Sequence, residues 1–178
     1  IVGHEGDTIA LSNGCVCCSI RDALGDALDA VTALRPQPDN IVIEASGVAN
    51  PAKIAYYGQG WPGLCLDAVV TLADSTSICE RAGDKFVGKL VLRQIAAADF
   101  VLLTKTDLID DATHQSVRHW LDNSAAAPSV IEANHGALPV EALLDTGGRN
   151  LPIQLSAGTE DHSHAFASFL FEARRPFE

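Results

Sequence analysis

Three of the chain's five cysteines stand within four positions, at Cys15, Cys17 and Cys18. Alternate side chains of an extended segment share a face, so Cys15 and Cys17 can converge, and Cys18 can join them where the chain turns into a helix. Thiolates suit zinc and copper(I), and three of them leave a fourth position open for another ligand. The same spacing also allows a redox pair, a disulfide or small buried thiols, so the cluster alone leaves these interpretations open.

A second polar group follows the apolar run of residues 100–103, which predicts a buried strand. This strand leads directly into Thr104, Lys105, Thr106 and Asp107. The carboxylate of Asp107 can accept both the N1 and the exocyclic amino protons of guanine, while the stem of Lys105 can lie over the base. A site that leaves a buried carboxylate unpaired rejects the wrong base strongly. The alternative is an ordinary polar strand end that continues into a helix.

A third candidate group begins at Glu44, the carboxylate that ends residues 40–44. This short, mostly apolar run predicts a buried parallel strand. Gly47, in the loop that follows, allows a backbone N–H group to approach a terminal phosphate. Glu44 can hold a magnesium-bound or attacking water. Glu44 and Gly47 are therefore candidate catalytic residues, although a strand that ends at an ordinary turn has the same pattern.

The elements that must position these groups alternate between strands and helices. Besides the two runs already described, apolar runs predict strands at residues 67–73 and 129–132. Helices are predicted at residues 19–34, 52–57, 85–98, 112–123 and 140–144. The alternation predicts an α/β fold, with an open, mostly parallel sheet, flanking helices and a ligand site along the carboxyl-terminal edge of the strands.

Composition narrows the class of protein. The chain has 178 residues, of which 47% are hydrophobic, and no apolar run reaches the roughly 18 residues of a membrane span. A net charge of -11 argues against a surface that follows a phosphate backbone, so neither nucleic acid nor membrane is an expected partner. An odd number of cysteines, three of them crowded, favours a reducing cytoplasm.

The character of the sequence changes after Gly148. Residues 151–164 are polar and irregular, which is typical of a linker. Residues 165–178 alternate between apolar and polar positions and predict the first strand of another, C-terminal domain, for which we expect an α+β fold. We therefore expect one main domain over residues 1–150.

Four motifs, taken in order, resemble those of the CobW-type family of metal-handling P-loop GTPases, proposed metallochaperones with a C-x-C-C signature. The motifs are residues 14–18, residues 44–47 with Pro51 following, residues 94–99 and residues 104–108, and the similarity covers most of residues 8–145. The resemblance implies guanine recognition by Lys105 and Asp107, with Thr104 beside them, and a nucleotide-responsive loop at residues 44–47. It also implies GTP and Mg²⁺ as cofactors, and zinc, or else Co²⁺ or Ni²⁺, at Cys15, Cys17 and Cys18.

The resemblance further implies GTP hydrolysis and delivery of metal to a client metalloprotein. A non-enzymatic zinc-binding module and a GTPase regulator with a structural zinc are the alternatives. Two departures qualify the match: Thr104 stands where the family usually has Asn, and no G-x-x-x-x-G-K-[ST] motif occurs. We therefore expect residues 1–150 to form a partial GTPase domain, with the P-loop upstream of Ile1, and this segment alone to be inactive.

Overall fold

A computed structural model of the chain describes residues 3–5, 8–10, 19–124, 128–144 and 146. The described residues fall into two compact units, which divide between Ile41 and Val42. The predicted linker at residues 151–164 and the predicted strand within residues 165–178 lie outside the described residues. The boundaries proposed for these segments therefore stay predictions.

The first unit contains a short hairpin and one helix. Strand β1 (Gly3–Glu5) pairs antiparallel with β2 (Thr8–Ala10). Helix α1 (Ser19–Thr32) coincides with most of the helix predicted there. Leu24 and Leu28, one turn apart on α1, are both buried, as expected of the apolar stripe of an amphipathic helix.

The second unit is built on a parallel sheet of three strands in the order β3–β4–β5. The strands are β3 (Val70–Asp74), β4 (Phe100–Thr104) and β5 (Ser129–Glu132). The α-helices described in this unit are α2 (Pro51–Gly60), α3 (Ile78–Gly83), α4 (Gly88–Ala97) and α5 (Asp111–Asp122). This alternation confirms the predicted α/β fold class. None of the described helices has the length and apolar character needed to cross a membrane.

One face of the sheet packs against α3, α4 and α5. Ala73 of β3 lies opposite Leu103 of β4, and both are fully buried. Their side chains share a face because partners in a parallel register point the same way. Ile95 from α4 and Leu121 from α5 complete the same buried cluster. The helices therefore fix the sheet from one side and leave its carboxyl-terminal edge accessible.

Asp99 sets the register at the opposite, amino-terminal edge. Its carboxylate accepts the Val69 N–H at 2.8 Å, and its own N–H donates to the Val69 carbonyl at 2.8 Å. Its carbonyl accepts the Ser129 N–H at 3.1 Å. One residue thus holds the chain at the starts of all three strands. With this register Asp74 lies opposite Thr104, so the polar residues that end β3 and β4 stand side by side.

The predicted strand at residues 40–44 is wrong for the described structure. Residues 40–46 belong to no strand or helix, and Val42 is 84% exposed. A strand forms where a neighbouring strand exchanges backbone hydrogen bonds with it. No described strand pairs with residues 40–44, and the side chains of Val42 and Ile43 are exposed.

The segment predicted as one helix over residues 85–98 is shorter, and α3 precedes it without having been predicted. Phe86, within the segment predicted as helix, is 77% exposed because it lies in the connection before α4, where the Lys85 ammonium stands 4.6 Å from its ring centroid. Gly88 is buried at the start of α4, and a Cβ atom there would collide with the Ala82 carbonyl. Glycine at this position therefore permits α4 to approach the end of α3.

The buried position of Leu103 in β4 and the exposed position of Leu72 in β3 predict that alanine substitutions at the two sites cost different amounts of stability. We expect Leu103→Ala to lower the free energy of unfolding by about 2–5 kcal/mol, because it removes a fully buried side chain and leaves a cavity. Leu72→Ala is the matched control, since Leu72 is 70% exposed; its cost should stay below about 1 kcal/mol. Urea denaturation followed by circular dichroism measures both, and equal losses would contradict the assignment.

Candidate functional site

The carboxylate of Asp74, at the end of β3, is held by the residue that follows β4. The Lys105 Nζ donates to Asp74 Oδ2 at 2.6 Å. The backbone N–H and hydroxyl of Thr76 donate to Asp74 Oδ1 at 2.9 Å and 2.6 Å. The bond from Lys105, followed by that from the Thr76 hydroxyl, lowers the pKa of Asp74 from 3.8 to about 2. Lys105 therefore joins two strand ends, while its side chain stays 55% exposed.

The backbone turns sharply at Lys105, which is left-handed with φ 59° and ψ 28°. A 3₁₀ turn, Thr106–Leu108, follows directly, and the Leu108 N–H donates to the Lys105 carbonyl at 3.0 Å. The Thr104 hydroxyl donates to the Ala73 carbonyl at 3.2 Å, so its proton is used inside the sheet. The predicted base-binding residues Thr104, Lys105 and Asp107 are thus brought together in one turn at the carboxyl-terminal edge.

The loop after β5 reaches the same turn through Asn134. The Asn134 Oδ1 accepts the Thr106 N–H at 2.9 Å, and the Asn134 Nδ2 donates to the Thr106 Oγ1 at 2.7 Å. The next residue, His135, places its Nε2 3.5 Å from Asp107 Oδ2. Asp107 is 40% exposed and His135 is 86% exposed. A ligand that approaches the Asp107 carboxylate therefore meets His135 beside it.

Sequence reasoning missed Asn134 and His135 as parts of this edge. They follow the predicted strand at residues 129–132, and polar residues at the carboxyl ends of parallel strands meet at one edge of a sheet. The same rule, applied to the strand at residues 129–132, identifies Asn134 and His135 as residues of this edge. The role of Asp74 as the partner of Lys105 was also missed, because its register opposite Thr104 is a tertiary feature.

The predicted catalytic residues, Glu44 and Gly47, lie in the exposed segment that forms no strand. Gly47 is connected to the sheet unit through α4: the Gln94 Nε2 donates to the Gly47 carbonyl at 3.0 Å and to the Ala49 carbonyl at 3.2 Å. The Gln94 carbonyl in turn accepts the Thr71 hydroxyl of β3 at 3.0 Å. The loop at residues 47–49 is therefore attached to α4, whereas Glu44 ends no strand and is exposed. Their catalytic roles stay predictions.

The predicted metal ligands Cys15, Cys17 and Cys18 lie outside the described residues. Within the part of the chain that the structure describes, no group of three or more His, Cys, Asp or Glu residues could hold a metal ion. Cys65 and Cys79 are free and exposed there. The assignment of metal to the C-x-C-C segment therefore still depends on the sequence.

The carboxyl-terminal edge offers the chemistry that a purine with two adjacent N–H groups requires. A half-exposed carboxylate, Asp107, can accept two hydrogen bonds side by side. The apolar stem of Lys105 is held at its far end by Asp74 and can cover a flat ring. Adenine presents no such pair of donors, so this set of groups fits guanine better.

Residues 1–132 match a family described as the nucleotide-binding domain of CobW/HypB/UreG. The chain is 30% identical to the zinc chaperone CobW of Sinorhizobium sp, over 94% of this chain and 57% of that protein. It is 33% identical to the zinc chaperone YjiA of Escherichia coli, over 83% and 48% of the two chains. It is also 33% identical to the zinc-regulated GTPase metalloprotein activator 1 of Schizosaccharomyces pombe, over 77% and 34%. The chain thus spans about half the length, or less, of these relatives.

A solved structure is also similar, the crystal structure of Zn(II)-bound YjiA GTPase from E. coli. It matches with a TM-score of 0.59 at 28% identity and covers 75% of this chain and 42% of that chain. The likeness agrees with the parallel sheet and flanking helices described above. The α/β fold of this chain is therefore of the P-loop GTPase kind.

The bond between Lys105 and Asp74 predicts a change in one pKa. We expect Lys105→Met to raise the pKa of Asp74 from about 2 toward 3.8, because the largest stabilisation of its carboxylate is lost. Carboxyl-carbon NMR during a pH titration measures this shift. Asp84 is the internal control, since its pKa is lowered by the backbone N–H groups of Val87 and Phe86 and should not move.

The same pKa fixes the sign of the pH dependence. The pKa of Asp74 is lower in the folded chain than its ordinary value, so its contribution to stability is fully present above about pH 4 and is lost as the pH falls toward about 2. In Lys105→Met this loss between pH 4 and pH 2 should shrink. An unchanged Asp74 titration in the variant would contradict the bond.

Proposed function

The chain belongs to the CobW/HypB/UreG nucleotide-binding family, and on that premise we propose that the protein is a GTP-dependent zinc chaperone that delivers metal to a client metalloprotein. The observation that carries the proposal is the turn after β4, where Lys105 and Asp107 stand together at the carboxyl-terminal edge of a parallel sheet. Ligands of open α/β sheets bind outside this edge. The choice of zinc as the metal is based on the relatives that are named zinc chaperones.

The first part of the proposal assigns the nucleotide base to the 104–107 turn. Asp107 accepts the N1 and amino protons of guanine, and the stem of Lys105 covers the base while its ammonium stays with Asp74. Thr104 lines the turn, with its hydroxyl oxygen as an acceptor only, because its proton already serves the Ala73 carbonyl. Guanine is therefore selected by one carboxylate in a turn that the sheet holds.

The second part of the proposal assigns the phosphates to the loop after residue 44. Gly47 presents its backbone to the terminal phosphate, and Glu44 holds the attacking water or a water bound to Mg²⁺. Bound Mg²⁺ supplies neutralisation of the charge on the phosphate oxygens. Support comes from Gln94, which attaches residues 47–49 to α4, the helix that leads into the strand before the 104–107 turn.

The third part of the proposal assigns the metal cargo to Cys15, Cys17 and Cys18, which lie within the residues that match the family. Three thiolates bind zinc firmly and leave one position for a water or a further residue. An open position allows another ligand to enter during transfer, which a closed four-ligand site does not. Thiolates require a reducing compartment, so we place the protein in the cytoplasm.

Base recognition by Asp107 can be tested with an altered base. In the intact protein, we expect Asp107→Asn to weaken GTP binding about tenfold or more, because an amide cannot accept both guanine protons and a hydrogen bond to a charged group is worth about 1.5–3 kcal/mol. Binding of xanthosine triphosphate should weaken less or improve, since the amide can donate to the xanthine carbonyl. Isothermal titration calorimetry measures both nucleotides.

Asp122→Asn is the matched control for this substitution, because Asp122 is an exposed carboxylate of α5 that pairs with Arg118. It should leave both nucleotide affinities unchanged. Equal losses of GTP and xanthosine triphosphate in Asp107→Asn would remove the assignment of the base to this turn.

The chaperone function itself predicts that zinc and nucleotide affinities depend on each other. We expect the zinc affinity of the intact protein to differ about 5- to 150-fold between its complexes with GDP and with a non-hydrolysable GTP analogue, the usual range for coupled sites. Competition with a chromophoric chelator under reducing conditions measures it. Cys17→Ser should lower zinc affinity in both states and leave GTP binding in the absence of zinc unchanged, whereas Cys65→Ser, at an exposed free thiol, should change neither affinity.

Two outcomes would favour other functions. Zinc affinities that agree within about twofold in the two nucleotide states would leave a GTPase with a structural zinc. Zinc binding in a protein that binds no GTP would leave a non-enzymatic zinc module.

A further inference from the structure

Two residues at the carboxyl-terminal edge have backbone conformations that side chains disfavour. Among the described residues, the non-glycine positions with positive φ are Lys105, at 59°, and His135, at 52°. A left-handed residue with a Cβ atom costs about 1–2 kcal/mol, so such conformations persist where neighbouring contacts hold them. Lys105 follows β4 and His135 follows the end of β5, so both strained points lie at the same edge.

A pair of hydrogen bonds connects the residues next to these two points. Thr106 follows Lys105, and Asn134 precedes His135. The Asn134 side chain accepts the Thr106 N–H at 2.9 Å and donates to the Thr106 hydroxyl oxygen at 2.7 Å. We call these two bonds the Thr106–Asn134 clasp. It continues the pairing of β4 with β5, whose last backbone bond runs from the Ala133 N–H to the Leu103 carbonyl at 3.0 Å.

We propose that Asn134 is a positioning residue that sets the base selectivity of the site by holding the 104–107 turn through the clasp. The inference rests on the proposed function, because it takes Asp107 as the acceptor of the guanine protons. Asp107 follows Thr106 directly, so the clasp fixes the backbone from which the carboxylate projects. The clasp is partly buried, whereas Asp107 is 40% exposed, so a protected contact supports an accessible group.

Selectivity depends on this support because two hydrogen bonds must align at once. The N1 and amino protons of guanine lie side by side, and a carboxylate accepts both only in one orientation. A small rotation of the turn keeps one bond and weakens the other. Inosine triphosphate lacks the amino group and makes only the first bond. The ratio of GTP affinity to inosine triphosphate affinity therefore reports the alignment of Asp107, independently of the phosphate and metal sites.

The test compares this ratio in variants of the intact protein. We expect Asn134→Ala to lower the ratio about three- to tenfold, the equivalent of losing most of one hydrogen bond. Thr106→Val, which removes the hydroxyl acceptor and keeps the N–H donor, should lower it less, and Thr106→Ser should preserve it. The double variant Asn134→Ala with Thr106→Val should match Asn134→Ala alone, because both substitutions break the same clasp.

Asn123→Ala is the matched control. Asn123 is the exposed residue at the carboxyl end of α5, where its side chain donates to the His119 carbonyl at 2.7 Å, away from the turn. Its substitution should leave the ratio unchanged. If Asn134→Ala does not fold, the comparison of Thr106→Val with Thr106→Ser decides the matter, since these two differ in the hydroxyl that the clasp uses.

The outcomes separate this inference from the function on which it rests. Equal losses of GTP and inosine triphosphate affinity in Asn134→Ala, with the ratio unchanged, would reduce Asn134 to a structural residue and overturn the inference while the proposed function stands. A wild-type protein that binds neither nucleotide would overturn both. A wild type that discriminates, with an Asn134→Ala variant that discriminates less, supports the inference.

Discussion

The parallel register of β3, β4 and β5 is the constraint on which the rest of the second unit depends. Asp99 holds the starts of the three strands, and the pairing carries that alignment to their ends, where Asp74 lies opposite Thr104. A shift of one residue would turn Leu103 out of the core, because neighbouring side chains of a strand point to opposite faces. It would also separate Lys105 from Asp74. The buried face and the candidate site are therefore fixed by the same hydrogen bonds.

Much of this unit was predictable from the sequence, because its signals are local. The apolar run of residues 100–103 and the run of residues 129–132 each coincide with a strand, and helix α5 (Asp111–Asp122) falls within a residue of its prediction. In a parallel sheet covered by helices, apolar runs and helical periodicity follow directly from burial. The placement of Lys105 and Asp107 at the edge followed from the same patterns.

The features that the sequence did not reveal depend on contacts with residues elsewhere in the chain. Residues 40–44 have the composition of a buried strand, yet a strand also requires a neighbour to exchange hydrogen bonds, and no described strand pairs with them. The Thr106–Asn134 clasp joins residues 28 apart, so periodicity could not reveal it. A lysine in the sequence does not indicate the left-handed backbone found at Lys105, whereas a glycine, such as Gly136 with φ 71°, does suggest one. Local patterns describe elements, whereas contacts between them decide the details of the site.

Gln94 ties the loop at residues 47–49 to α4 with a single amide group, and this has a consequence for how the loop can respond. Its Nε2 donates to both the Gly47 carbonyl and the Ala49 carbonyl. A rotation of this side chain would release both carbonyls together, since the two bonds share one nitrogen. The attachment of Gly47 and that of Ala49 therefore depend on the same side chain, so a ligand that displaced the Gln94 amide would free both ends of this short loop.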